Sequence, residues 1–305
     1  MRVQAVGSAR VTDGPGARDQ ATSAAAAVFD EHRPALLGAA YRVLGTMTDA
    51  EDAVQETWMR WAAADHGKVE SPRAYLLTAV TRQALNIART QERRREAYVG
   101  PWLPEPVTHA PDTAELAESV SIAMLVVLES LSPAERATFV LHEVFGMQLS
   151  EVAETLQKSP AAVRQLAHRA REHVQARRPR QPVDRATHRE VTERFLAAAS
   201  GGSIEELMGM LAPDVVLYSD GGGLRRAALR PILGAEKVLR FGLGVMQNPD
   251  TPVVLRIGEL NGRAALIAVG AHGVDTVTTF LLDGGLITEV YVVRNPEKLR
   301  HVEIS

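Results

Sequence analysis

The stretch LSEVAETLQKSPAAVRQLAHRAREH, residues 149–173, decides how the chain is to be read. Leu149, Val152, Ala153 and Leu156 share one face of a first helix, and Val163, Leu166, Ala167 and Ala170 share one face of a second. Gln157-Lys158 breaks the pattern between them. Ser159 suits an N-cap, and Pro160 suits the first helical position, where its missing N–H costs nothing. The spacing predicts a helix-turn-helix in which Gln157 stands where such turns often have glycine, at a cost on the order of 1 kcal/mol. Ser159, Arg164, Gln165, His168, Arg169 and Arg171 are then candidates for contact with DNA, being types that reach phosphates and base edges in the major groove. The plain alternative is an αα-hairpin with no DNA role.

Working upstream, Thr48-Asp49-Ala50-Glu51 predicts a capping box that opens a helix. Val54, Thr57, Trp58 and Trp61 face one way on it, and Asp49, Asp52, Gln55 and Glu56 another. The acidic side does not match DNA and suits a basic protein partner. Ser71-Pro72 opens the next helix, whose apolar side is Tyr75, Leu76, Val80, Ala84 and Ile87 and whose basic side is Arg82, Asn86, Arg89 and Arg93. Tyr75 reads either as core or as an aromatic that stacks on an unpaired base.

The net charge of −3 over 305 residues argues, taken whole, against a nucleic-acid binder. Resolved by segment it says the opposite. Residues 49–56 carry −4; residues 71–95 hold six arginines against one glutamate, +5; residues 150–178 hold six basic residues against three acidic ones, +3. The absence of cysteine excludes disulfides, thiol nucleophiles, iron–sulfur clusters and thiolate zinc sites. No metal or cofactor is expected. Neither an apolar run of membrane-spanning length nor an N-terminal apolar leader is seen, so the expected location is the cytoplasm.

The chain divides into an unstructured lead-in (1–25), a helical module (26–95), a proline-rich extended linker (96–112), a second helical module (113–178) and an α+β module (184–305). The last begins with two helices, 188–199 and 204–211. Strand composition follows at 215–219, 253–257, 264–269, 276–282 and 287–293, with Asp283-Gly284-Gly285 as a hairpin turn.

DAEDAVQETWMRW (49–61) with SPRAYLLTAVTRQALNIARTQERRR (71–95) resembles region 2 of bacterial extracytoplasmic-function RNA polymerase sigma factors, and residues 131–172 resemble their region 4. Trp102-Leu103-Pro104-Glu105-Pro106, Asp220-Gly221-Gly222-Gly223 and Asn295-Pro296-Glu297-Lys298 are similar to signatures of the subgroup with a fused C-terminal SnoaL-like domain, with Glu297 in place of an Asp. The resemblance implies two all-α sigma modules, a region 2 bundle and a region 4 helix-turn-helix, followed by a cone-shaped α+β (cystatin-like) roll. It implies that Asp49, Asp52, Gln55, Glu56 and Trp58 meet the β′ clamp helices of core RNA polymerase, with the β flap as a further contact. It further implies that Tyr75, Arg82, Asn86, Arg89 and Arg93 serve the −10 element, that the 66–68 loop meets a flipped base, and that the 160–171 helix reads the −35 element. No catalytic group is required. Trp102, Pro104, Asp220, Gly221, Gly222, Gly223, Asn295 and Pro296 become candidates for regulation in cis, through contact between the roll and the sigma modules. The alternative is a roll that is a working small-molecule enzyme or ligand sensor, with Tyr218, Asp220, His272 and Asp275 as its pocket groups. A repressor without polymerase contacts is disfavoured by the acidic 49–56 helix.

Overall fold

In the computed structural model, residues 15–108, 121–246 and 253–303 are described. The first module is three helices: α1 (Pro15–Leu44), α2 (Met47–Ala62) and α3 (Pro72–Glu96), with one 3₁₀ turn at His66–Lys68. α1 starts inside the segment expected to be unstructured. Its run Ala24 to Ala27 is strongly helix-forming, and the Ala25 carbonyl accepts the buried Trp61 Nε1–H at 2.9 Å. Residues 1–14 of that lead-in lie outside the described residues.

The expected capping box at Thr48 does not form. α2 begins two residues earlier, with Thr46 at the N-cap and its hydroxyl donating to Asp49. The reason is tertiary: the Glu105 carboxylate, from the linker, accepts the Met47 amide at 2.8 Å and caps the helix from 58 residues away.

The second module holds α4 (Ile122–Glu129), α5 (Pro133–Phe139) running into a π-helical turn (Val140–Val144), α6 (Leu149–Leu156) and α7 (Pro160–Arg177). α6 and α7 form the expected helix-turn-helix. Gln157 sits at φ 53°, ψ 44°, the left-handed position anticipated for it, and Ser159 Oγ accepts the Ala162 amide at 3.2 Å. Val152, Ala153, Val163, Leu166, Ala167 and Ala170 are buried between and behind the two helices.

The C-terminal module opens with α8 (Arg185–Gly201) and α9 (Ile204–Met210). The strands are β1 (Leu211–Asp220), β2 (Ile232–Leu233), β3 (Val254–Leu260), β4 (Arg263–Gly270), β5 (Gly273–Asp283) and β6 (Leu286–Val293), with α10 (Ala235–Met246) between β2 and β3. They form one six-stranded sheet, order β2-β1-β6-β5-β4-β3, antiparallel except for the β1–β6 pair. α10 carries no forewarning in sequence: Gly242 and Gly244 lower its helix propensity, and packing of Val238 and Leu239 on the sheet overrides that. The sheet is covered on both faces. Val215, Leu217, Leu266, Phe280, Leu282 and Val290 pack with α8, α9 and α10, whereas Ala265, Ile267, Val277, Tyr291 and Val293 join the core of the helical modules. The architecture is therefore two helical modules followed by an α+β roll docked on them. Among the described residues, no helix is long and apolar enough to cross a membrane.

Candidate nucleic-acid and polymerase interfaces

α2 exposes Asp52, Gln55 and Glu56, while Ala53, Val54, Thr57 and Trp61 are buried. Two of the residues expected to meet the polymerase are otherwise engaged. Asp49 is half-buried and accepts from Gln91 Nε2 at 2.6 Å; Trp58 is half-buried in edge contact with Phe29.

On α3, Asn86 and Arg89 are exposed and bonded only lightly to one another, at 3.1 Å. Tyr75 is 39% exposed beside Trp61, so its ring is neither core nor free. Arg82 is used differently from the expectation. Its Nε donates to the Thr155 carbonyl at 2.9 Å and its Nη2 to the Glu154 carbonyl at 2.8 Å, at the C-terminal end of α6. Thr78 and Thr155 share a hydroxyl–hydroxyl bond at 2.9 Å beside it. A guanidinium there satisfies terminal carbonyls and meets the negative end of the helix dipole. At this point the basic side of α3, though still exposed, is bonded to the helix-turn-helix. The side chain of Arg93 lies outside the described residues.

On α7, Ser159, Arg164, Gln165, His168, Arg169 and Arg171 are all exposed. Arg169 pairs with Glu135 at 2.7 Å and Arg171 with Glu143 at 2.6 Å, and His168 lies 3.5 Å from Glu172. The bond from Arg169 helps hold the Glu135 carboxyl below its ordinary range, with bonds from Ser132, against the upward pull of burial.

The linker is extended, as its prolines require, but it is not a solvated tether. Leu103, Pro104, Glu105, Pro106 and Val107 are buried. At one end lies Asp220, wholly buried at the end of β1. Its carboxylate accepts from the Tyr98 hydroxyl at 2.6 Å, the Leu103 amide at 2.9 Å, Lys298 Nζ at 2.8 Å and the Gly222 amide at 3.0 Å. Lys298 Nζ also donates to the Leu103 carbonyl at 2.6 Å and stands 3.2 Å from the Trp102 ring centroid. Burial pulls the Lys298 ammonium down to about 8, against the opposing pull of Asp220. Burial and the adjacent Asp220 carboxylate push the Tyr98 phenol up, which keeps it a donor. The three glycines after Asp220 have a steric reason. A Cβ at Gly221 would collide with the Arg225 carbonyl, and Gly222, at φ +61°, lies against the Asn295 amide.

At the other end, Glu105 joins the linker to the first helical module and the roll. Besides the Met47 amide it takes His301 Nδ1, and its carbonyl accepts from the buried Tyr41 hydroxyl, itself bonded to Asn261 Nδ2 at 2.8 Å. Asn261 Oδ1 accepts the Val107 amide at 3.0 Å. Tyr41, Tyr98, Glu105, Asn261, Lys298 and His301 were not among the candidates from sequence. Only Glu105 and Lys298 lay within quoted motifs.

The four pocket groups considered for a working roll do not converge. Tyr218 stacks on Tyr291, Asp220 is taken up as above, and Asp275 pairs with Arg294 at 3.0 Å. His272 is exposed in the β4–β5 turn.

The Sigma-70 region 2 family matches residues 28–94, and the Sigma-70 region 4 family matches residues 121–174. The ECF RNA polymerase sigma factor SigJ of Mycobacterium tuberculosis is 38% identical over 88% of this chain and 91% of its own length. The chain belongs to the ECF RNA polymerase sigma factors. The probable ECF sigma factor SigI of the same organism is 30% identical over 90% of this chain and 94% of its own. A crystal structure of SigJ superposes with a TM-score of 0.75, at 36% identity, covering 91% of this chain and 99% of that one. This sigma factor therefore carries a region 2 bundle in α1–α3 and a DNA-binding region 4 helix-turn-helix in α6–α7. It is an RNA polymerase-binding alternative sigma factor that acts in transcription initiation; such factors are not themselves enzymes.

Proposed function

We propose that α2 docks on the β′ clamp helices of core polymerase through Asp52, Gln55 and Glu56, with region 4 meeting the β flap. Tyr75, Arg82, Asn86, Arg89 and Arg93 then serve the −10 element, and Ser159, Arg164, Gln165, His168, Arg169 and Arg171 the −35 element. The module limits follow as 26–95 for region 2, 113–178 for region 4 and 184–305 for the roll, and the protein works in the cytoplasm. The roll regulates the sigma modules in cis: the closed arrangement is a resting state, and promoter binding requires α3 and α6 to part.

One observation carries this reading. Arg82, a residue assigned to DNA, is spent on the α6 carbonyls of region 4. While that contact holds, the Arg82 guanidinium is not available to the −10 element. The linker that would have to move is gripped at Asp220 and Glu105 by the roll.

The test is run-off transcription with reconstituted core polymerase, comparing full length with truncations ending near 182 and near 295. Altered promoter-specific activity or polymerase affinity in either truncation is expected. Identical behaviour of all three overturns cis regulation. Charge reversal at Asp52 and Glu56 should abolish polymerase binding while leaving the fold intact; retained binding overturns the assignment of α2.

A further inference from the structure

The outward residues of α7 fall into two groups. Arg164 and Gln165 are exposed, and among the described residues neither has a side-chain partner. Arg169 and Arg171 are each held by a carboxylate from another element. Arg169 Nε donates to Glu135 Oε1 at 2.7 Å, and Arg171 Nη2 donates to Glu143 Oε1 at 2.6 Å. At ~100° per residue the two arginines lie roughly 160° apart, with Arg164, Gln165 and His168 in the sector between them. The exposed face of α7 is thus held at both edges and open in the middle.

Each carboxylate has its own mount. Glu135 closes the capping box of α5: its Oε2 accepts the Ser132 amide at 3.2 Å and the Ser132 hydroxyl at 2.7 Å, which leaves Oε1 for Arg169. Against the upward pull of burial, bonds from Ser132 and Arg169 keep that carboxyl below its ordinary range, so it is charged at neutral pH. Glu143 is carried by the π-helical turn, which the Phe145 amide closes on the Val140 carbonyl at 3.1 Å, a local geometry that recurs at functional sites. Exposed ion pairs contribute little to stability, so holding the fold does not account for two of them on one DNA-binding helix. The chemistry of DNA does. A free guanidinium pairs with the phosphates of any sequence. One shared with a fixed carboxylate is partly neutralised and held in one direction, while its remaining N–H groups can still donate.

We propose that Glu135 and Glu143 are positioning residues that set the specificity of region 4: they fix Arg169 and Arg171 at the edges of the recognition face and cut their attraction for phosphates outside the −35 element. This rests on the reading above that Arg169 and Arg171 serve that element. Arg164, Gln165 and His168, between the two clamps, are left to read bases. Removing either carboxylate charge then raises binding to the wrong DNA more than to the right one.

The test uses holoenzyme reconstituted from the full-length protein and core polymerase. Its probes are a promoter fragment that the parent holoenzyme selects from genomic DNA and the same fragment with its −35 segment scrambled. Glu135→Gln and Glu143→Gln remove the charge and keep the shape, and glutamine still serves in a capping box. Each variant should bind the scrambled fragment more tightly at about 50 mM salt and lose roughly three- to fourfold more of that affinity than the parent by about 200 mM, the mark of one added phosphate contact. Discrimination between the two fragments at the lower salt should fall about threefold. Both effects should vanish when Glu135→Gln is placed on Arg169→Ala and Glu143→Gln on Arg171→Ala. Unchanged discrimination and salt dependence in the glutamine variants, beside arginine variants that weaken promoter binding, overturn the positioning role alone. The same gain with the arginine absent assigns the effect to charge in general and also overturns it. Arginine variants that leave promoter binding intact overturn the −35 assignment and this role together.

Discussion

Two contacts tie the parts of this sigma factor together, and they are built from opposite materials. The linker–roll joint is buried and charged: Asp220 is wholly buried, Lys298 nearly so, and every acceptor position of the carboxylate is used. The region 2–region 4 contact is made from an exposed arginine, two backbone carbonyls and a pair of threonine hydroxyls. Groups that water can replace at little cost make a contact that opens readily; a desolvated ion pair makes one that stays shut until a partner is supplied. Under the proposed regulation, the difference makes the α3–α6 contact the hinge and the linker joint the anchor.

Removing half of the anchor should have the largest effect. Asp220→Ala leaves Lys298 buried without its counter-charge and should cost about 3–5 kcal/mol in urea unfolding. Proteolysis of the native protein should then cut within residues 98–108, a stretch protected in the parent. Intact protection and unchanged unfolding would make the joint ornamental.

Glu105→Gln comes next. The amide still reaches the Met47 N–H but loses the charge that faces His301 and the α2 dipole, so about 1–2 kcal/mol of stability should go. Faster hydrogen exchange at the Met47 amide is the specific readout.

The pH dependence of the anchor is smaller and has a definite sign. Lys298 titrates near 8 in the folded protein, below its ordinary value of 10.5. The unfolded chain therefore holds more protons between those values, and the Lys298 contribution to stability rises with pH across that window. The stability difference between the parent and Lys298→Met should shift in favour of the parent from pH 8 to 10; a shift the other way would mean that the ammonium is favoured in place.

The smallest effect on stability belongs to the hinge. Arg82→Ala should cost at most about 1 kcal/mol yet increase the radius of gyration in solution scattering as regions 2 and 4 part. A large loss of stability with unchanged dimensions would reverse the comparison.

Much of the fold was legible because its signals are local. Ser159-Pro160, the left-handed Gln157, Ser71 at the start of α3 and the strand composition of β4 to β6 can all be read within a few residues. The misses differ in cause. Thr48 looked like an N-cap until Glu105 supplied one from the linker, the Ala24–Ala27 run of α1 is helix-forming but lacks a periodic pattern, and the glycine-bearing α10 was settled by packing. Of the site, the exposed faces of α2 and α7 were visible as charge, whereas the role of Arg82 was not, since nothing near it in sequence indicates the α6 carbonyls.

The sequence alone determined the two helical sigma modules, the helix-turn-helix, the strand-rich C-terminus and the family, because hydrophobic period, capping and turn chemistry act over one or two turns of chain. Tertiary structure alone decided which polar groups are buried and what they meet. Asp220 finds the Leu103 amide across 117 residues, Lys298 finds the Leu103 carbonyl across 195, and Asn261 finds Tyr41 across 220. At such separations a side chain's partner depends on how whole modules pack, and desolvation then makes that one partner obligatory.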